Sequence, residues 1–229
     1  MVIAYLSLVL ALVLSITYYF GCRIDVKHHL PTSHKLMSFS AGVSITYILL
    51  ELFPLFTERA FPIGRILFAS VLIGFILHHF IEEELYQHFK KPELGRAMIL
   101  EEESSSFLYH FIIGIVLISI GTDSVKDGIL FFIPIFLYIL INTLSTDPHI
   151  SRLKTLFFSS ATFLGAFYAT FFWTNRAAWL ESALIGLVAG VLLFTIVRHH
   201  LPVGKRGRIG YFLLGVLFYA LVLMASWYQ

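Results

Sequence analysis

The sequence predicts an all-α membrane protein, a single integral domain over residues 1–229 built as a bundle of eight transmembrane helices. Three observations carry this. Eight unbroken apolar stretches fill the chain, at about 2–20, 36–56, 65–86, 104–121, 128–146, 154–173, 178–198 and 209–228. A helix needs about 20 apolar residues to cross a hydrocarbon core, where the backbone must satisfy its own hydrogen bonds. Apolar residues make up 58% of the chain and charged residues 13%, against about 45–50% and 25% in soluble domains. Finally, the runs do not alternate, as the roughly ten-residue strands of a membrane barrel must.

The first segment, Val2 to Phe20, lacks a basic start, and Tyr18, Tyr19 and Phe20 do not form a small-residue cleavage site. It is expected to be a retained helix rather than a removable signal. Cys22, which follows it, is the only cysteine, so no internal disulfide forms. A net charge of +2 is too small to point to nucleic acid. Lys and Arg concentrate after the odd segments: Arg23, Lys27 and Lys35; Lys90, Lys91 and Arg96; Arg152 and Lys154; Arg198, Lys205, Arg206 and Arg208. The other loops hold Arg59, Arg65, Lys126 and Arg176. Positive charge marks the cytoplasmic side, so both termini are expected to be extracytoplasmic in the cell membrane.

Small residues recur at interface spacing. Gly42 follows Ser38, Gly165 lies between Ala161 and Ala169, and Gly186 and Gly190 form a G-x-x-x-G. Such residues let helix backbones approach in lipid, where no hydrophobic drive separates helix from solvent. Gly42, Gly114 and Gly190 are expected at helix–helix contacts.

Polar residues inside apolar segments are costly and default to functional candidates. Segment 2 carries Glu51, with Pro54 after it. Segment 3 closes with His78, His79, Glu82, Glu83 and Glu84; His78 and Glu82 share a helix face, as do His79 and Glu83. Imidazole with carboxylate suits a divalent transition ion, although this cluster stands at a segment end where water can solvate it. Tyr109 and His110 lie in segment 4, Tyr138 and Asn142 in segment 5.

With these residues in place the chain resembles a family, the zinc–iron permeases (ZIP metal transporters). Ser38 to Pro54, S-F-S-A-G-V-S-I-T-Y-I-L-L-E-L-F-P, is similar to that family's S-F-A-A-G-x-x-L-x-x-x-x-x-H-L-x-P. Tyr109 to Gly114, Y-H-F-I-I-G, resembles its H-N-x-x-D-G, and Tyr138 to Leu144 falls where it has H-x-x-P-E-G-L. Leu187 to Pro202 resembles its F-x-A-G-x-x-L-Y-x-x-x-x-D-x-L-P. Eight helices and outward termini also match. Carried over by position, the central metal ligands fall on Tyr109, His110, Tyr138 and Asn142, with Ile113 and Ile141 at an aspartate and a proline position. The histidine of segment 2 becomes Glu51 and the aspartate of segment 7 becomes His199.

The resemblance implies a divalent metal transporter, and the departures imply a relocated or weakened site. Divalent cations need carboxylate charge, and little remains at the central position. His110, Glu51 and Asn142, with His78, His79 and Glu82, are the metal candidates; Tyr109, Tyr138, Gly42, Gly114 and Gly190 are pore or packing candidates. The carried ion is then a divalent metal such as zinc, bound weakly or not at all. The second reading is a transport fold that binds no metal and moves another solute, or that regulates or scaffolds a partner. A membrane-embedded enzyme is a minor third: His28, His29 and His34, or His199 and His200, lie at segment ends in basic loops. The chain is therefore expected not to be an enzyme. Its expected partners are the lipid bilayer and a metal ion; a homodimer is compatible with the sequence and not derivable from it.

Overall fold

The computed structural model describes the backbone of residues 2–23, 30–88, 91–144, 152–173, 177–201 and 208–228, with side chains from 4 to 80 (less 24–33 and 78), 107–143, 152–173, 177–198, 201 and 208–228. Helix follows helix throughout. The elements are α1 (Val2–Gly21), α2 (Leu30–Tyr47), α3 (Phe53–Ala60), α4 (Ala69–His88), α5 (Lys91–Asp123), α6 (Val125–Leu144), α7 (Arg152–Phe171), α8 (Ala178–Thr195) and α9 (Ile209–Trp227). A π-helical turn, Ile48–Leu52, joins α2 to α3 into one rod, and a second, Ile196–His200, extends α8. Eight helical rods thus run in the predicted order.

The expectation of eight spans is met in part. Among the described residues five helices are long and apolar enough to cross a membrane: Ala4–Gly21, His34–Ala60, Val125–Thr143, Ala178–Arg198 and Ile209–Trp227. Arg65–Leu77 and Phe107–Asp123 are apolar but shorter. Both are bounded where the described side chains end, at 77 and 107. α4 runs on through Glu82–Glu84, and α5 begins at Lys91, well before the expected 104, with Glu101–Ser106 inside it. In α7, Lys154, Ser159, Ser160 and Thr162 dilute the apolar run. The outer surface is nonetheless apolar, with Leu72, Ile73, Phe80, Leu153, Phe157, Phe172, Leu217 and Leu221 all exposed. Soluble monomers rarely leave so many large apolar side chains exposed. The chain is a helical membrane protein.

Three crossings hold the bundle, and all use glycine in one geometry. A Cβ on Gly42 would overlap the Phe212 carbonyl oxygen, and one on Gly215 that of Phe39. Gly74 and Gly190 stand the same way to Leu187 and Val71, and Gly114 and Gly165 to Thr162 and Phe111. In each case a glycine faces the carbonyl three residues before its partner glycine. The pairs are α2 with α9, α4 with α8, and α5 with α7. Each pair runs parallel. Ser38 meets Arg208 at the start of α2 and α9, while Glu51 meets Trp227 toward their ends. Ser70 lies by Gly186 and His79 by Phe194; Phe107 stacks on Phe157 and Phe111 packs by Tyr168. Close backbone approach of this kind supplies the dispersion contact that lipid cannot outcompete.

The two π turns mark an internal repeat. A-G-V-S-I-T-Y-I-L-L-E-L-F-P (Ala41 to Pro54) and A-G-V-L-L-F-T-I-V-R-H-H-L-P (Ala189 to Pro202) share A-G-V, the isoleucine and the proline at equal spacing. In both, the N–H two residues after the turn's glutamate or histidine, at Phe53 and Leu201, reaches five residues back, to Ile48 and Ile196. At the first turn the physical reason is Pro54. Its ring would clash with a carbonyl one helical turn back, and a widened turn relieves the clash. The rods run in opposite senses: Phe56 at the end of the first packs on Phe68 at the start of α4, and α4 is parallel to α8. Each repeat packs its A-G-V glycine on the other repeat's third helix, Gly42 on α9 and Gly190 on α4. The bundle is therefore an inverted repeat of rods 1–3 and 6–8 around α5 and α6.

α6 carries Pro134 inside the helix. That proline cannot donate to the carbonyl of Leu130, four residues back. Tyr219 of α9 supplies the missing donor: its hydroxyl donates to the Leu130 oxygen at 2.6 Å.

Candidate functional site

Among the described residues, polar side chains gather in two places, and α6 reaches both. The first is a cleft of about 430 Å³ at the end of the bundle where α3 and α9 finish and α6 begins. Its charged lining is Glu51, Glu58, Lys126 and Asp127, with Trp227, Leu50, Pro54 and Leu55 completing the wall. Glu51 stands in the π turn, which rotates it relative to an unbroken helix. Its Oε2 accepts a hydrogen bond of 3.0 Å from the Trp227 indole. Lys126 is drawn to the C-terminal end of α9, where its ammonium donates to the Ser226 carbonyl at 3.0 Å. Asp127 sits in the first turn of α6, its amide donating to Ser124 Oγ. Arg59 is engaged outside the cleft, 3.0 Å from Asp123. Three carboxylates against one ammonium make the cleft net negative. Pro54 adds a further acceptor, because it brings no N–H and leaves one carbonyl of the π turn without its helical donor.

The second place lies inside the bundle between α1, α5 and α6. His110 is 4% exposed, with Tyr18 edge-on to it at 5.2 Å between ring centroids and Tyr109 at 5.7 Å. Tyr109 and Tyr138 meet edge-on at 6.4 Å. The Tyr109 hydroxyl is buried without a hydrogen-bond partner. Asn142, one turn past Tyr138 on α6, is exposed.

Of the residues expected at a central metal site, the structure thus brings Tyr109, His110 and Tyr138 together, with Asn142 one turn beyond Tyr138, and places Glu51 elsewhere. Glu51 belongs to the cleft. His79 is exposed on α4 with the Phe194 ring 6.0 Å away. The side chains of His78, Glu82 and His199 lie outside those described. Among the described residues no three His, Cys, Asp or Glu side chains converge as a metal site. Gly42, Gly114 and Gly190 each face a neighbouring helix's backbone. Sequence reasoning missed Glu58, Lys126, Asp127 and Trp227 in the cleft, and Tyr18 beside His110. The readable signal was the repeat: it singles out the turn before Pro54 as a paired structural feature, and Glu51 as its polar member.

The chain matches no family model and no curated protein.

Proposed function

We propose that this chain is a membrane transporter for cations, ZIP-like in plan, with all eight rods crossing the bilayer and with its cation-attracting group displaced to the Glu51 cleft. One observation carries the reading: two rods of opposite sense, each interrupted at the same place in the same sequence frame. Transporters built as inverted repeats put their substrate sites at interrupted helices, where freed carbonyls and half-helix ends face the ion. The acidic lining of the cleft adds the sign of the charge. Oxygen donors alone suit a hard or borderline divalent ion bound loosely, in keeping with a weakened site. α4, α5 and α7 reach spanning length in this reading by counting the polar ends of their helices, at 20, 33 and 20 residues. Both termini face outward, as the Lys and Arg distribution predicts.

The test is flux. Purified protein in vesicles holding a zinc-sensitive dye should admit zinc faster than empty vesicles, and Glu51→Gln should slow entry about tenfold, the effect expected where a charged contact worth about 1.5–3 kcal/mol is removed. Entry no faster than in empty vesicles, for zinc, manganese and calcium alike, would sink the cation reading. A second reading is favoured by the aromatic enclosure of His110: a transport fold in which this imidazole is a packing contact and the solute is not a metal. It would show as wild-type protein that binds no divalent ion by calorimetry.

A further inference from the structure

An apolar groove of about 310 Å³ opens on the side of the bundle between α3, α4 and α8. Phe53, Phe56, Phe68, Leu72, Phe75 and Leu193 line it, and no polar side chain does. From Phe68 to Phe75 it follows α4 for about 10 Å, at 1.5 Å per residue. Its flanks are the apolar helices His34–Ala60 and Arg65–Leu77, so it faces the hydrocarbon side of the protein. Leu72 on its rim is exposed. At its upper end stands the 3₁₀ turn Arg65–Phe68. Side chains three apart eclipse in such a turn, which sets Arg65 directly over Phe68. Arg65 is exposed and, among the described residues, has no carboxylate partner; its neighbour Arg59 is already paired with Asp123.

We infer that this groove is a lipid site, taking one acyl chain of an anionic phospholipid whose headgroup pairs with Arg65. Among the described residues the groove offers a lining with nothing to hydrogen-bond, which disfavours a polar ligand. The guanidinium at its mouth selects charge, since it presents a planar fork of donors to phosphate oxygens. The groove is walled by the first repeat through Phe53 and Phe56 and by the second through Leu193. A chain seated there touches both rods and resists any change in their relation. The inference does not depend on what the protein transports.

Native mass spectrometry of the full chain, delipidated in detergent and then offered equal phosphatidylglycerol and phosphatidylcholine, provides the test. The wild type should retain phosphatidylglycerol about fivefold over phosphatidylcholine, the preference one arginine gives near a membrane surface. Arg65→Gln should bring the two to parity while keeping total retention. A Leu72→Trp variant should place an indole on the groove rim, quenched by phosphatidylglycerol with brominated chains and less so when Arg65→Gln is added. Equal retention of both lipids by the wild type would overturn the inference. So would a preference that survives Arg65→Gln, or an indole blind to brominated chains in vesicles.

Discussion

The two polar places in this bundle solve opposite problems with similar residues. The cleft is open and charged, and its groups are tied down: Glu51 by the Trp227 indole, Lys126 by the Ser226 carbonyl. The cluster around His110 is closed and uncharged in its surroundings, held by ring edges, with the Tyr109 hydroxyl left without a partner. Water reaches the first and must be excluded from the second. A carboxylate in the second would carry a desolvation cost that nothing there offsets. Under the proposed function, accessibility and charge therefore single out Glu51 rather than His110, the titratable side chain most like a metal ligand.

The largest expected effect separates the two directly. Glu51→Gln should cut cation flux about tenfold, since a charge-assisted contact is lost, whereas His110→Phe should cut it no more than about twofold because one ring replaces another of similar volume. Flux lost in His110→Phe and kept in Glu51→Gln would reverse the comparison and restore a central site.

The joint between the two places is α6, which carries Lys126 and Asp127 at one end and Tyr138 at the other, with Pro134 between. Tyr219→Phe removes the donor to the Leu130 carbonyl and should destabilise the protein by about 1–3 kcal/mol, the cost of a buried acceptor left unmade. Adding Pro134→Ala returns a backbone N–H to that carbonyl and should recover part of the loss. Melting followed by circular dichroism in detergent reads both variants. If Pro134→Ala does nothing for Tyr219→Phe, the hydroxyl is not substituting for the missing amide.

Much of this fold was legible because lipid leaves few choices. The order of the eight rods follows from apolar runs; Gly42 and Gly190 stood out by spacing with other small residues, and Gly114 by its place in the Tyr109 to Gly114 motif. What escaped was of two kinds. The first ten residues of α5, from Lys91 to Leu100, form helix without an apolar signature. The π turns need the proline and the repeat read together; either alone looks like an ordinary helix break. The cleft was illegible for a different reason. Glu51 and Trp227 are 176 residues apart, and only the parallel packing of α2 and α9 joins them. No local pattern encodes that.

A smaller effect is expected at Tyr109. Its hydroxyl is buried and makes no hydrogen bond, so Tyr109→Phe removes a polar group that costs free energy to bury. The variant should be unchanged or up to about 1 kcal/mol more stable. A loss of 1 kcal/mol or more in the same melting experiment would mean that the hydroxyl serves a bound water or ligand, and the cluster would then need to be regarded as a site.

The smallest effect concerns Cys22, one turn beyond Tyr18 and just past the end of α1. Its amide donates to the Tyr18 carbonyl at 3.1 Å and it is 6% exposed. Burial pushes the thiol from 9.0 up to about 11, against a smaller opposing pull from Arg23. The sign follows from the charged form being the disfavoured one. Below pH 9 the thiol is neutral whether folded or not, and the group costs nothing. Between pH 9 and about 11 the unfolded chain ionises first, so this contribution to stability falls as pH rises through that window. Reactivity gives the cleaner readout, because the thiolate is the nucleophile. Two units of pKa leave Cys22 about 100-fold poorer in thiolate than an unburied thiol at pH 8, so maleimide should label it slowly there and faster with each unit up to about 11. As the only thiol in the chain it reports without interference. A labelling rate at pH 8 equal to that of the urea-unfolded protein would show that water reaches the end of α1, and with it the edge of the cluster described as closed.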